Sequence, residues 1–168
     1  MWERLARIAI FLGELLALLI IVLGALVIRI PQVDGSSMAP TIASGEIVAT
    51  ESLSYHFRAP TRGEIVAFSL DLSRQETYIK RVVALPGDRV RIDDGVVRVN
   101  GRRIDESYVH FHDTRSLPPT VIPPGHLFVL GDDRPQSEDS RFFGPIPEST
   151  VIGRACWVLW PLSRFGPL

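Results

Sequence analysis

One cysteine and one lysine stand in this 168-residue chain. A single thiol, Cys156, excludes an internal disulfide framework and a cysteine-based zinc site, and it fits either redox compartment. Charge of one sign is lacking as well. A formal net charge of −1 gives no electrostatic reason to expect nucleic acid as a partner. Histidine is confined to His56, His110, His112 and His126; His110 and His112 could share one strand face as zinc ligands, but no third ligand follows at a suitable spacing. No internal repeat is present, and a hydrophobic fraction of 46% excludes a disordered chain. The length corresponds to one domain, or to one domain with an appendage.

What the chain does have begins with an apolar run. From Ile8 to Ile28 only Glu14 carries charge, and about 21 helical residues rise about 31 Å, close to the hydrocarbon thickness of a bilayer. A cleaved secretory signal would have a shorter apolar region ending in a small-x-small site, whereas this run leaves through Leu26-Val27-Ile28-Arg29-Ile30. The expectation is an uncleaved transmembrane helix. Arg4 and Arg7 flank its N-terminal side, and after Arg29 no basic residue follows until Arg58, which places Met1 in the cytoplasm and the chain beyond about Pro31 outside. Glu14 is either a functional carboxylate in the span or a group near its cytoplasmic end.

Beyond Thr41 no long stretch has helical period. Short runs rich in Val and Ile recur instead: Glu46 to Thr50, Glu64 to Leu70, Thr77 to Leu85, Val90 to Ile92, Val96 to Val99, Leu127 to Leu130 and Val151 to Trp160. Asp93-Asp94-Gly95 and Asn100-Gly101 have hairpin-turn chemistry. The pattern predicts a mainly β fold, an antiparallel sandwich or barrel. The proline-rich piece Leu117 to Gly125 reads as a loop between two sets of strands.

Three stretches carry the chemistry. In Asp34-Gly35-Ser36-Ser37-Met38-Ala39-Pro40-Thr41, two hydroxyls lie between a glycine and a proline, directly after the apolar run. A serine held this way is a nucleophile if a base reaches it, and otherwise part of a turn. In Thr77-Tyr78-Ile79-Lys80-Arg81-Val82-Val83, alternation sets Tyr78, Lys80 and Val82 on one face. Of 18 basic residues, 17 are arginine; only lysine loses its proton near neutral pH when desolvated. The alternative is a solvated basic pair on an edge strand. The third stretch, Gly131 to Arg141, is a polar loop dense in carboxylates and arginines. It is a solvated loop, an ion-pair cluster or a cation loop, and its internal arginines argue against the last.

In this order, behind the apolar run, three groups of residues together resemble the successive boxes of type I signal peptidases. They are Ser37-Met38-Ala39-Pro40-Thr41; Tyr78 to Val82 with Leu85-Pro86-Gly87-Asp88; and Gly131-Asp132-Asp133-Arg134 through Ser137, Asp139, Ser140 and Arg141. The resemblance covers most of the chain. It implies a membrane-anchored serine endopeptidase with a Ser/Lys dyad on an all-β fold, cutting signal peptides from exported preproteins. Carried over, Ser37 is the nucleophile, Lys80 the general base and Ser137 the hydroxyl that orients the lysine. Gly35, Ser36 and Ser37 form the nucleophile and oxyanion loop, and Met38 lines the substrate pocket. Asp132 with Arg81, and Asp139 with Arg141, are supporting ion pairs. Neither metal nor cofactor is implied. The partners implied are the lipid bilayer and preproteins with small residues one and three positions before the cut.

The expected organisation is a cytoplasmic N-terminus and anchor over residues 1–30, then an extracytoplasmic β-rich peptidase domain over 31–168, on the plasma membrane with a single pass. Some departures from the family pattern are visible. Gly35 stands where some relatives have a serine that donates to the oxyanion hole, so that hole would rest on the Ser37 backbone N–H. Asp133 replaces a common asparagine and Ala84 a common glycine, and the large extra β domain of some members is absent. The rival readings are a related Ser/Lys processing peptidase, such as a pilus-type enzyme or a self-cleaving repressor, and a non-catalytic anchored β module that binds a partner. The repressor would need a DNA-binding domain and a cleavable linker, and the chain has neither.

Overall fold

The computed structural model describes residues 2–70 and 76–168; the side chains at positions 3, 5, 8, 9, 20–23, 25 and 26 also lie outside the description. The first element is α1 (Trp2–Val27). Among the described residues no helix is long and apolar enough to cross a membrane. Part of the expected span Ile8 to Ile28 falls on the side chains that are not described, as does Met1, assigned above to the cytoplasm. The carbonyl of Val27 at the helix end accepts from Ser52 N–H (3.2 Å) and Ser52 Oγ (3.3 Å).

Among the described residues twelve strands follow: β1 (Ile28–Arg29), β2 (Ile47–Glu51), β3 (Ile65–Phe68), β4 (Tyr78–Ala84), β5 (Arg89–Asp93), β6 (Val96–Val99), β7 (Arg102–Arg103), β8 (Leu117–Val121), β9 (His126–Leu130), β10 (Ile146–Pro147), β11 (Val151–Trp160) and β12 (Gly166–Pro167). They form an eight-stranded sheet in the order β1-β2-β11-β3-β4-β9-β10, with β12 beside β11, and a four-stranded sheet in the order β7-β6-β5-β8. Every pairing between named strands is antiparallel, as the short alternating runs predict.

Turn chemistry sets the small sheet. Asp94 and Gly95 both have positive φ (48° and 78°), as do Asn100 and Gly101 (52° and 80°), the conformation of two-residue hairpin loops that match strand twist. The first pair joins β5 to β6 with Asp93 opposite Val96, and the second joins β6 to β7 with Val99 opposite Arg102. Val90, Ile92, Val97 and Val99 alternate inward and bury against Val83, Ala84, Phe128 and Leu130 of the large sheet. The large sheet thus packs β4 and β9 under the small one.

One expectation is corrected. Leu117 to Gly125 is not all loop, because its first half is β8, the edge strand beside β5. Pro118 and Pro119 cannot donate to a ladder and are tolerated only where one side of the strand faces solvent.

Candidate active site

The turn that carries the two serines is fixed from behind. Met38 is 1% exposed and packs with Val33, Ile42, Val48, Ile65 and Ile79. Ala39 N–H donates to Ser36 O (2.8 Å) and Ile42 N–H to Met38 O (2.9 Å), closing a compact bend. Gly35 has φ +98°, which a side chain would strain even though a Cβ would meet open space. A serine at position 35 is therefore unfavourable in this backbone. Thr41 Oγ1 donates to Asp132 Oδ2 (2.6 Å), and Asp133 N–H to Ser37 O (3.0 Å), so the bend is tied to the loop after β9.

Lys80 comes from the middle of β4, opposite Val66 of β3. It is 3% exposed. Its Nζ donates to Ser37 Oγ at 2.7 Å and to Ile79 O at 3.2 Å, with the Tyr78 ring centroid 5.9 Å away. No carboxylate lies within ion-pair distance among the described residues. Burial pushes its pKa down from 10.5 to about 8; Asp139, Glu138 and Asp132 pull upward and Arg141 pushes downward, all by smaller amounts. The Ser37 backbone N–H has no acceptor among the described residues, so it is free to face a ligand oxygen.

The loop from Gly131 to Asp139 completes the site. Gly131 is needed for close approach, since a Cβ there would overlap both the Ser137 hydroxyl and the Ser37 carbonyl. Ser137 Oγ donates to Asp139 Oδ2 (2.7 Å), which also accepts from Gly131 N–H (3.0 Å). Arg141 grips Asp139 with two bonds of 2.8 Å, and Arg81 grips Asp132 with bonds of 2.9 and 2.7 Å. Asp139 also caps α2 (Ser140–Phe143) by accepting from Arg141 N–H.

The residues singled out from the sequence therefore meet in one place, with two differences. Among the described residues Ser137 makes no hydrogen bond to Lys80; its proton goes to Asp139, and the amine donates to Ser37 Oγ and Ile79 O. Met38 belongs mainly to the core and contributes only the floor of the adjoining cleft. That cleft holds about 700 Å³ and runs between the 31–38 stretch and Glu76–Lys80, with Ser37 and Lys80 in its wall. Sequence reasoning missed Glu106, Tyr108 and Asp113, which pack behind the loop; nothing in the local pattern marks them. His110 and His112 are exposed, and among the described residues no group of three or more His, Cys, Asp or Glu could hold a metal ion.

Residues 5–160 match the family described as "Signal peptidase, peptidase S26". A signal peptidase I of Leptolyngbya laminosa is 36% identical over 143 residues, covering 81% of this chain and 70% of that protein. A signal peptidase I of Bacillus caldolyticus is 35% identical over 147 residues, 79% and 80% of the two chains. Signal peptidase IB of Staphylococcus aureus is 32% identical over 165 residues, 88% and 85%. Among solved structures, a signal peptidase I from Enterococcus faecalis V583 superposes with a TM-score of 0.50 at 30% identity, over 58% of this chain and 97% of the other. The class is thereby set: a hydrolase, and within the hydrolases a serine endopeptidase. More narrowly, the chain belongs to the signal peptidase I family, peptidase S26, whose work is the removal of signal peptides.

Proposed function

We propose that the protein removes signal peptides with Ser37 as nucleophile and Lys80 as general base. The observation that carries this is the 2.7 Å contact between Lys80 Nζ and Ser37 Oγ, with the amine buried. An ammonium donates in that contact. Once the amine is neutral the bond reverses, and the serine O–H donates to Nζ. As Oγ attacks the scissile carbonyl carbon, its proton passes to Lys80, which then delivers it to the leaving amine. A water deprotonated by the same lysine releases the acyl group. Ser37 N–H supports the developing oxyanion. Arg81–Asp132 and Arg141–Asp139 hold the walls and do not exchange protons. Ser137, whose proton goes to Asp139, acts on the site through the loop that it helps to fix.

The same reading includes residues 1–30 as a single-pass anchor and 31–168 as the extracytoplasmic peptidase domain, on the plasma membrane. Two features support it. Ile10, Phe11, Leu12, Leu15, Leu16, Leu18 and Leu19 on α1 are all more than half exposed, an apolar surface that water does not favour. Trp157 and Trp160 on β11, Phe142 and, further along, Leu162 and Phe165 are also exposed. β11 is only one strand removed from β1, where the helix enters the sheet. Phe143, next to Phe142, is not part of this surface and packs against Phe68 and Tyr78. The substrates are exported preproteins with small residues one and three positions before the cut, presented in the cleft beside Ser37.

The test is cleavage of a preprotein by the full chain in detergent or vesicles. Ser37→Ala is expected to abolish it and Ser36→Ala to keep most of it. A dead Ser36→Ala beside an active Ser37→Ala would overturn the assignment. Chelators and alanine at any of the four histidines should leave the rate unchanged, and zinc-restorable loss in EDTA would refute the dyad.

A further inference from the structure

Between β7 and β8 the chain could cross the small sheet by a short path. Instead, residues 105–113 run back against the catalytic loop and touch both of its arginines, Arg134 and Arg141, and Arg81 of β4. Glu106 pairs with Arg134, whose side chain is 3% exposed and whose Nε donates to Gly131 O (2.9 Å). Tyr108 covers the Arg81 guanidinium, ring centroid to Cζ 4.1 Å, on the face away from the in-plane bonds to Asp132. Phe111 O accepts from Arg134 N–H (3.1 Å), and Phe111 forms a parallel bridge with Asp133, whose own N–H holds Ser37 O. Asp113 Oδ2 accepts from Arg141 Nη1 (2.7 Å) while the rest of that guanidinium grips Asp139. The far end of the segment is fastened too: Gly95 N–H donates to Arg115 O (3.0 Å), and a Cβ at Gly95 would overlap the Asp113 carbonyl.

We infer that residues 105–113 form a positioning strap for the Ser37–Lys80 pair, with Glu106, Tyr108 and Asp113 acting through Arg134, Arg81 and Arg141. None of the three touches the reacting atoms. Each fixes an arginine that in turn fixes a group of the surrounding frame: Gly131 beneath Ser37 and Ser137, Asp132 bonded to Thr41, and Asp139 bonded to Ser137 and Gly131. Without Glu106 the buried Arg134 charge is left uncompensated, so that side chain would turn toward water and release Gly131 O; without Tyr108 or Asp113, Arg81 and Arg141 keep Asp132 and Asp139 but lose the contact that fixes them from the other side. A displacement of about 1 Å at a nucleophile or base lowers turnover about a hundredfold without weakening substrate binding.

The activity part of this inference rests on the dyad reading, but the chain offers a second readout that does not. Lys80 is the only lysine, so lysine labelled with ¹⁵N at Nζ gives one side-chain signal, whose titration reports the hydration and charge around that amine. The charged groups bearing on it are Asp139, Glu138, Arg141 and Asp132. Loss of a nearby carboxylate by charge alone would lower the midpoint. Loss of positioning admits water and raises it from about 8 toward 10.5.

The experiment measures kcat, KM, melting temperature and the Lys80 midpoint for the full chain and for Glu106→Ala, Tyr108→Ala and Asp113→Ala. The expected result is a kcat lower by about ten- to a hundredfold with KM changed less than about twofold, and a raised midpoint. Glu106→Asp, Asp113→Glu and Tyr108→Phe should fall between parent and alanine variants, and they carry the test if an alanine variant does not fold. A lowered melting temperature with kcat and midpoint equal to the parent, or a midpoint that falls, overturns the strap. If the parent shows no Ser37-dependent cleavage, the dyad reading fails, and the midpoint alone decides the strap.

Discussion

The loop behind the active serine and the outer face of the small sheet are both rich in arginine, and they treat it in opposite ways. Around the loop, Arg81, Arg134 and Arg141 have side chains only 12%, 3% and 4% exposed, and each engages a carboxylate. On the small sheet, Arg89, Arg91, Arg98, Arg102 and Arg103 face solvent. There Arg91 stands opposite Arg98, and Arg98 opposite Arg103; among the described residues, only Arg91 of these five reaches a carboxylate, Asp93 at 2.7 Å. The difference is desolvation. A guanidinium out of water needs a partner in good geometry, whereas one in water is screened and needs none. Lys80 breaks the rule of its own region. It is buried, yet its two bonds go to a neutral hydroxyl and a neutral carbonyl. The cation left without a carboxylate is the one whose proton can leave.

The largest break in that comparison is Lys80→Arg. Guanidinium keeps its charge at any working pH, so the site gains a permanently unpaired buried cation and loses its base. Cleavage should fall by more than about a thousandfold, as far as in Lys80→Ala, at every pH between 6 and 10 sampled in the assay. Substantial activity in Lys80→Arg would refute the mechanism. Next comes removal of a matched partner. Asp139→Ala takes from Arg141 one of its two carboxylates, leaving Asp113, and frees Ser137 and Gly131 N–H together. It should cost about 3–5 kcal/mol of unfolding free energy, read by denaturant titration, and cleavage should be lost with it. A melting curve equal to the parent's would show that Asp113 alone satisfies Arg141.

The third expectation concerns pH. Lys80 has a folded pKa of about 8 against 10.5 when solvated. Between those values the unfolded chain binds more protons than the folded one, so stability rises with pH across the window. Below about 8 both states carry the proton, and the penalty of the buried charge is present in full. Lys80→Met, similar in length and uncharged, should therefore stabilise the fold at pH 7 by about 3 kcal/mol and flatten the rise. In the active protein the ascending limb of kcat/KM should report the same group near pH 8. A limb near 10.5, or equal pH slopes for parent and Lys80→Met, would contradict a desolvated base.

Much of this arrangement was legible in the residues themselves. The seven Val- and Ile-rich runs correspond to β2, β3, β4, β5, β6, β9 and β11, because the alternation of β2, β5 and β6, the continuous apolar runs of β3 and β9, and the Asp-Gly and Asn-Gly turns all act locally. Strand β8 was hidden by Pro118 and Pro119, since an edge strand survives residues that a central strand does not. The two-residue strands β1, β7, β10 and β12 carry no periodic signal of their own. Ser37, Lys80, Asp132 with Arg81 and Asp139 with Arg141 were implied by the resemblance that the three stretches carry. Glu106 and Asp113 were not, since each meets its arginine 28 residues away and lies in a stretch without periodicity. The Ser137 hydroxyl shows the same limit: its competing acceptor, Asp139, lies two residues away, and only the loop's curvature brings them together.

The smallest expected effect lies on the solvent side of the comparison. Arg98 sits directly opposite Arg91 and Arg103 on adjacent strands, and like charges at that spacing repel. Arg98→Glu turns both contacts into attractive ones on an exposed face where the side chain packs against no core. Exposed pairs contribute little, so the gain should be about 0.5 kcal/mol, a rise in melting temperature of about 1–2 °C for a chain of this size. Salt provides the discriminating control, because a Coulomb effect between exposed groups shrinks as the screening length falls to about 3 Å at 1 M. The variant's advantage should therefore be largest at low ionic strength and vanish in molar salt, while the penalty of Asp139→Ala, between buried groups, should persist there. A salt-independent gain would mean that Arg98→Glu acts through strand propensity or the unfolded chain, and that the outer arginines do not repel one another.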